Sequence, residues 1–314
     1  MRKIIVGLLK LLLVLFIFLI IFIFVDYVRL NISYSFNKSK YIYSIDVQGN
    51  KDKYVPQGLA YSEENDIVLQ TSYNKSKKVS MLYVTRFSDG KLLKSLKIKN
   101  NDNSENTSHV GGIAVSDNKV WITSDYYVNE FSLKEIINTR NDSIRSLRDE
   151  KLPIRGDFAT YKDDTLWIGD FFLKPFYNVE NDNPLLLAYN TNGIINYQKP
   201  KLAISLPKMV QGLTFDEENN FILTRSFTNL ISSDLVIYKN VLNEETNETY
   251  KVGTTTIPYY KFNDENKIRN ENLVPMAEGL FYKEKYLYIL FENSSDAYFY
   301  AYPKLDKIIK YEYK

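Results

Sequence analysis

Two carboxylate side chains, Asp157 and Glu278, occupy equivalent positions in a short phrase that recurs along the chain. Two acids that face each other across a narrow channel can share a proton, and they can also hold a hard cation. Because burying both acids without a purpose costs free energy, their repetition points to chemistry. We therefore interpret Asp157 and Glu278 as candidate catalytic residues and as candidate ligands of an axial metal ion, Ca²⁺ or Zn²⁺.

The phrase has five copies, at residues 55–61, 109–115, 155–161, 209–215 and 276–282. A polar turn and a second apolar run follow each copy, and the alternation of apolar and polar residues in these runs is typical of β-strands. Five such units at a loose period indicate an all-β fold, a five-bladed β-propeller. The long interval between residues 212 and 279 leaves room for a degenerate sixth blade.

The segments outside the five units are consistent with a ring. Residues 41–47 alternate as a strand ahead of the first unit, and such a strand closes a propeller by pairing with the last blade. Two segments rich in charged residues, 137–153 and 243–248, are predicted as excursions from the ring. The sequence indicates no second domain.

Antiparallel pairing places the start of each first strand and the end of each second strand at the same end of the ring, here called the axial mouth. The candidate ligand-binding residues predicted there, around Asp157 and Glu278, are Gln57, Ser72, His109, Asp125, Arg155, Asp170, Gln211, Arg225 and Glu292. Alternatively, these groups tie neighbouring blades together by hydrogen bonds and Arg–carboxylate pairs, the role that we favour for Gln57 and Gln211. Lys75, Lys77 and Lys78 are predicted to form a solvated basic loop at the same mouth.

The composition excludes several classes of site. The chain of 314 residues has no cysteine and one histidine, which excludes disulfides, thiolate metal sites and motifs that need two histidines. Its net charge of +2 creates no field that would favour nucleic acid. The sequence also lacks a phosphate-binding loop, a dinucleotide fingerprint and a nucleophile elbow. Any site must therefore be built by the geometry of the repeats.

The N-terminal residues predict a membrane anchor. Arg2 and Lys3 precede an apolar run, residues 4–25, that only Lys10 interrupts. As a helix this run would span about 30 Å, enough for a bilayer core. A signal peptide is the alternative, but no small-residue cleavage site follows the run. We predict a signal-anchor at 1–25, a polar stalk at 26–40 and one propeller domain at 41–314, outside the cell.

The first unit and its flanks carry a family resemblance. Three stretches of the chain resemble the opening of the glutaminyl-peptide cyclotransferases of plant and bacterial type. They are Ile45-Asp46-Val47, Val55-Pro56-Gln57-Gly58-Leu59-Ala60-Tyr61 and Leu69-Gln70-Thr71-Ser72-Tyr73. The members of that family are five-bladed β-propellers, so the resemblance, which covers about residues 43–125, implies this fold. Gln70 and Gly111 stand where the family has acids, while Glu278 keeps an acidic position in the last unit.

Together these features predict a membrane-anchored extracellular propeller that binds a peptide, a glycan or a protein partner over its axial mouth. One alternative is an enzyme of cyclotransferase or lactonase type that uses Asp157 or Glu278 as acid/base, with or without the metal ion. Another is a purely structural partner of a membrane complex. An enzyme should bring acids together with at least one strongly perturbed pKa. A binding module should have an open, aromatic-lined mouth. A structural partner should have an exposed apolar patch on its side or lower face.

Overall fold

The computed structural model describes residues 2–74, 76, 79–171 and 183–313. It contains a long N-terminal helix followed by five β-sheets arranged around one axis. The five-bladed β-propeller predicted from the repeats is therefore confirmed. The predicted basic loop of Lys75, Lys77 and Lys78 lies outside the described residues.

The strands follow one another from the axis outwards in each blade. Before the ring come helix α1 (Arg2–Asn37) and strand β1 (Tyr41–Asp46). Blade 1 contains β2 (Val55–Ser62), β3 (Ile67–Asn74), β4 (Val79–Arg86) and β5 (Leu92–Lys99). Blade 2 contains β6 (Gly112–Val115), β7 (Lys119–Ser124) and β8 (Tyr127–Ser132); helix α2 (Leu133–Asn138) and β9 (Ser143–Arg145) then precede its outer strand, β10 (Arg148–Lys151).

The remaining blades repeat this order. Blade 3 contains β11 (Phe158–Lys162), β12 (Thr165–Gly169), β13 (Leu185–Asn190) and β14 (Leu202–Ser205). Blade 4 contains β15 (Val210–Phe215), β16 (Phe221–Arg225) and β17 (Ser233–Tyr238), then the hairpin of β18 (Thr249–Val252) and β19 (Thr255–Lys261), and finally β20 (Lys267–Leu273). Blade 5 contains β21 (Ala277–Lys283), β22 (Tyr286–Phe291) and β23 (Lys307–Glu312).

Strand β1 closes the ring, as the sequence predicts. It pairs antiparallel with β23, with Tyr41 opposite Tyr311, and so becomes the outer strand of blade 5. The buried Tyr41 hydroxyl accepts a hydrogen bond from the Val274 backbone N–H, just after β20, at 3.1 Å. Strand β1 thus completes blade 5 and also connects this blade to blade 4.

The two excursions extend neighbouring blades. Strand β9 adds in parallel to the edge of β5, and β19 adds in parallel to the edge of β14. The long interval before the fifth unit therefore holds the β18–β19 hairpin, and the sixth-blade alternative is wrong. A two-stranded hairpin is marginal alone, so it gains stability by pairing with an existing sheet edge.

The hydrophobic core lies between neighbouring blades. Trp121 of blade 2 is buried and stacks on Tyr161 of blade 3, with ring centroids 5.7 Å apart. Trp167 of blade 3 packs at a tilt on Phe215 of blade 4, with ring centroids 5.6 Å apart. Such aromatic pairs bury large apolar areas, and they hold the blades in a closed ring.

The recurring glycine allows the inner strands to approach each other closely. A Cβ atom on Gly112 would lie 2.6 Å from the Ala159 backbone nitrogen on the next blade. A Cβ atom on Gly279 would lie 2.5 Å from the Leu59 backbone nitrogen. Since both obstacles are backbone atoms, no side chain fits, and the glycine of the phrase is architectural.

Buried threonines recur on the second strands, and among the described residues the hydroxyl of one of them connects two blades whereas the hydroxyl of another does not. Thr71 Oγ1 donates to the Val110 carbonyl at 2.8 Å and accepts the Gly58 N–H at 2.9 Å. Thr123, opposite Gly112 in blade 2, is equally buried, but its hydroxyl has no hydrogen-bond partner among the described residues. The two threonines are therefore equally buried, but within the described structure only the hydroxyl of Thr71 is hydrogen-bonded, so Thr123 serves as a matched control.

We expect Thr71→Val to lower the free energy of unfolding by about 2 to 4 kcal/mol, because it leaves two buried backbone groups unpaired. Thr123→Val should be neutral or slightly stabilising, because it removes a polar atom that lacks a partner. Urea unfolding of the two variants measures the difference. Equal losses in both would show that the Thr71 hydrogen bonds do not connect the blades.

Helix α1 is longer than the predicted anchor. A stretch of 25 residues, Ile5–Arg29, has the length and apolarity to cross a membrane. The helix continues to Asn37, through most of the segment predicted as a polar stalk. A single turn of 3₁₀-helix, Lys38–Lys40, then joins it to β1.

Candidate functional site at the axial mouth

Bulges in the inner strands aim the recurring polar residues. The pairing register shifts between Pro56 and Leu59 in blade 1 and between Ala277 and Leu280 in blade 5. A similar shift occurs in blade 4, and the residues within the three bulges include Gln57, Gln211 and Glu278. A bulge breaks strict alternation and re-aims a side chain, here at the point where the strand starts at the mouth.

A cavity of about 620 Å³ opens at the axial mouth. Every blade contributes to its lining, which consists of Tyr73, His109, Asp125, Arg155, Asp157, Phe171, Gln211, Phe227, Glu292 and Tyr298. Six of the predicted site residues are among them: His109, Asp125, Arg155, Asp157, Gln211 and Glu292. The structure thus brings together more than half of the residues that the sequence placed at this end.

Arg155 holds two of the carboxylates. Its Nη2 atom lies 3.1 Å from Asp125 Oδ1 and 3.1 Å from Asp157 Oδ1. The second Asp157 oxygen accepts the Phe171 backbone N–H at 2.9 Å. These contacts fix the Asp157 carboxylate in one orientation, which suits an acceptor for a ligand's N–H or O–H group.

Glu278 lies behind this lining in a different environment. It is 3% exposed, and its burial raises the pKa of the carboxyl well above its usual range. The nearby charges of Glu292 and Asp157 raise this pKa further, in that order. Gln57 Nε2 donates a hydrogen bond to Glu292. The protonated form of Glu278 is therefore favoured beside a carboxylate that already accepts a hydrogen bond.

Besides Glu278 and Gln57, three further predicted residues do not line the cavity. Asp170 is buried, and its carboxylate accepts the Leu185 N–H at 3.0 Å; burial and the charge of Asp157 raise its pKa well above the usual range. Ser72 is buried and accepts a hydrogen bond from Gln70 at 2.9 Å. Arg225 donates to the Lys208 carbonyl at 2.9 Å and pairs with Asp234 at 3.3 Å. These contacts tie strands together, so a direct role in ligand binding stays a prediction.

The sequence reasoning did not select the aromatic lining. Tyr73 lies against His109, with ring centroids 4.3 Å apart. Burial raises the pKa of the Tyr298 hydroxyl, and the charge of Glu292 and contact with Tyr73 add to this shift. The sequence did carry a signal for part of this set, because Tyr73 is the penultimate residue of a second strand and Phe171 and Phe227 follow two other second strands closely. Tyr298 lies in a long connection where no periodicity could place it.

The arrangement fits a metal ion poorly. Among the described residues, no group of three or more His, Asp and Glu side chains could hold a metal. Asp157 is already paired with Arg155, and the environment of Glu278 favours its protonated form. A cation needs ionised, convergent oxygens, which this pair does not supply. The Ca²⁺ or Zn²⁺ site stays an untested prediction.

Five blades around a polar, partly aromatic cavity define the chain as a β-propeller with an axial pocket. No family model matches it, and no curated protein matches its sequence. Among solved structures it is similar to glutaminyl cyclase from Myxococcus xanthus, at 8% identity and a TM-score of 0.49, over 87% of this chain and 94% of that one. It is also similar to the PQQ-bound aldose sugar dehydrogenase from Streptomyces coelicolor, at 11% identity and a TM-score of 0.48, over 86% and 96%. Similarity at this level carries no argument about activity.

Proposed function

We propose that the protein is a membrane-anchored β-propeller whose axial cavity binds the donor-rich end of a ligand outside the cell. The observation that carries this proposal is the convergence of Asp125, Asp157 and Glu292 on one cavity with a single arginine, Arg155. Three carboxylates against one guanidinium favour a ligand that presents ammonium, amide or hydroxyl groups. The amino end of a peptide and the amino sugars of a glycan both have this chemistry.

The walls and size of the cavity support the same proposal. Aromatic rings on several sides, from Tyr73, Phe171, Phe227 and Tyr298, can pack on the apolar face of a sugar or on a side chain. A volume of about 620 Å³ lies within the range of small-molecule sites, roughly 300 to 1,000 Å³.

The apolar stretch Ile5–Arg29 supports the anchor. Arg2 and Lys3 precede it, and the positive-inside tendency then places the N-terminus in the cytoplasm and the propeller outside. A ligand on the outer side of the membrane follows from this orientation.

The test is binding of matched ligands to the full chain in detergent micelles. Short peptides with a free amino end and chitosan oligomers should raise the melting temperature, whereas their N-acetylated forms should not. Asp157→Asn should weaken binding at least about tenfold, since the charge-assisted contact contributes roughly 1.5 to 3 kcal/mol.

Asp89→Asn serves as the control, because Asp89 lies in the exposed turn between β4 and β5, away from the cavity, and pairs only locally with Arg86 at 2.8 Å. Equal binding of free and acetylated ligands, or unchanged affinity in Asp157→Asn, would contradict the proposal.

A second function, an enzyme of cyclotransferase or lactonase type, is favoured by Glu278. A buried acid whose protonated form is favoured, close to the Glu292 carboxylate, can donate a proton to a leaving group and take it back. Incubation of the full chain with glutaminyl peptides or with lactones tests this function directly. Turnover that disappears in Glu278→Gln would support the enzyme function. Absence of turnover on both substrate classes would contradict it.

A further inference from the structure

Two neighbouring loops at the axial mouth expose large apolar side chains. One follows β16 in blade 4, and the other connects β22 to β23 in blade 5. Their exposed side chains, which we call the apolar rim, are Phe227, Leu230, Ile231, Phe299, Tyr300 and Tyr302. Single exposed apolar residues are ordinary, but a group of six in adjacent loops indicates a contact surface. This patch lies at the mouth, and not on the side or lower face that a purely structural partner would use.

Helix α1 lies against the same two loops. The ring centroids of Tyr27 and Tyr302 are 5.6 Å apart, and Arg29 Nη2 lies 3.4 Å from Ser232 Oγ. One to two turns further along the helix, the Tyr34 hydroxyl lies 2.8 Å from the Tyr43 hydroxyl on β1. The helix therefore runs along the outside of the propeller from β1 to the mouth.

The direction of the helix determines where the membrane lies. Because α1 is one continuous helix with a rise of about 1.5 Å per residue, the segment before Tyr27 continues beyond the mouth. Its described side chains from Ile5 to Val25 are all exposed, so the propeller does not cover them. The apolar span thus leaves the protein on the side of the apolar rim.

We propose that the axial mouth faces the membrane and that the apolar rim docks onto the bilayer interface. This inference rests on the proposed membrane anchor. Tyrosine suits this position because its ring can enter the headgroup region while its hydroxyl stays hydrated, and phenylalanine, leucine and isoleucine can bury apolar area at the boundary of the acyl chains. Lys304, exposed in the same loop as Phe299, and Arg29 at the end of the apolar span can meet lipid phosphates.

In this orientation a ligand reaches the cavity from the membrane surface. Phe227 and Tyr298, which line the cavity, come from the two loops that carry the rim. With the rim on the bilayer, the cavity opens towards the membrane surface. Its ligand would then be the end of a chain held at that surface, close to the headgroups, and not a solute that arrives from the bulk medium.

Quenching by brominated lipids tests this orientation in the full chain, reconstituted in phosphatidylcholine liposomes. Phe299→Trp introduces a reporter on the rim. Ile194→Trp is the matched control, since Ile194 is 88% exposed in the turn after β13, at the opposite end of the ring. The native Trp121 and Trp167 are buried between blades and supply a constant background. Brominated acyl chains should quench the tryptophan at position 299 and leave the one at position 194 unchanged.

Equal quenching at the two positions, or none at 299, overturns the proposal; Leu230→Trp in the other loop repeats the test if Phe299→Trp does not fold. Flotation of the liposomes reports on the anchor separately. Protein that floats without quenching at 299 retains its anchor but has a mouth that faces away from the membrane. If the protein does not float with the liposomes, both the proposed membrane anchor and the proposed orientation of the mouth are wrong.

Discussion

Gly111→Ala should lower the free energy of unfolding by about 3 kcal/mol or more, because the new Cβ would overlap a backbone atom that cannot rotate away. That atom is the Asp157 carbonyl oxygen, 2.3 Å from the ideal Cβ position. Relief of the overlap requires the inner strands of blades 2 and 3 to separate. A loss of this size should lower the melting temperature by roughly 5 to 10 °C in a domain of this length.

Gly193→Ala provides the control for this prediction. Gly193 lies in a turn with φ of 98°, and the described structure has no heavy atom within 4 Å of its ideal Cβ position. The only penalty is conformational strain, roughly 1 kcal/mol. If both variants lost the same stability, close approach of the inner strands would not be the reason for glycine at 111.

The same overlap bears on the family resemblance. The glutaminyl-peptide cyclotransferases have an acid where this chain has Gly111, and no side chain fits here without moving the next blade. Any acid–base chemistry in this protein must therefore come from other positions, and Glu278 is a buried acid at the axis whose pKa is raised well above its usual range.

Glu278→Gln should stabilise the folded protein at neutral and alkaline pH. Burial raises the folded-state pKa of Glu278 above its unfolded value of about 4.3, so the folded state retains a proton that the unfolded state has released. Between those two pKa values, stability falls by up to about 1.4 kcal/mol for each unit of rising pH. Below about pH 4 both states are protonated, and this contribution to stability is fully present.

Glutamine keeps the shape of the neutral acid without a group that ionises. The melting temperatures of the variant and the unmodified protein should coincide near pH 4 and separate progressively up to pH 8, with the variant higher. Asp170 has a raised pKa for a similar reason. Because Asp170 is present in both proteins, its contribution to the pH dependence largely cancels in the difference between their melting temperatures. A difference that does not change with pH, or a variant that is less stable at pH 8, would contradict the assigned cause.

The same variant separates the two proposed functions. An enzyme that uses Glu278 as proton donor should lose its turnover while it gains stability, as happens when a strained catalytic group is removed. A binding module should keep most of its affinity, because Glu278 lies behind the cavity lining and does not form part of it.

The sequence by itself determined the architecture of this protein. Period-two alternation and the repeated glycine are local signals, so five units, a closing strand at Tyr41–Asp46 and an N-terminal apolar helix could be predicted from them. Antiparallel pairing then placed His109, Arg155 and Asp157 at one end of the ring, where the cavity lies. These predictions succeeded because each depends on neighbours along the chain or on the next strand.

Only the tertiary structure decided the character of the site. The bulges at Gln57, Gln211 and Glu278 depend on the partner strand, and no alternation in one strand reveals them. The raised pKa of Glu278 arises from its burial and, to a smaller extent, from the charges of Glu292, which follows the neighbouring strand, and of Asp157, which blade 3 supplies. The apolar rim, Tyr298 and the position of α1 against the mouth belong to long connections without a period, whose placement is set by packing between distant segments of the chain.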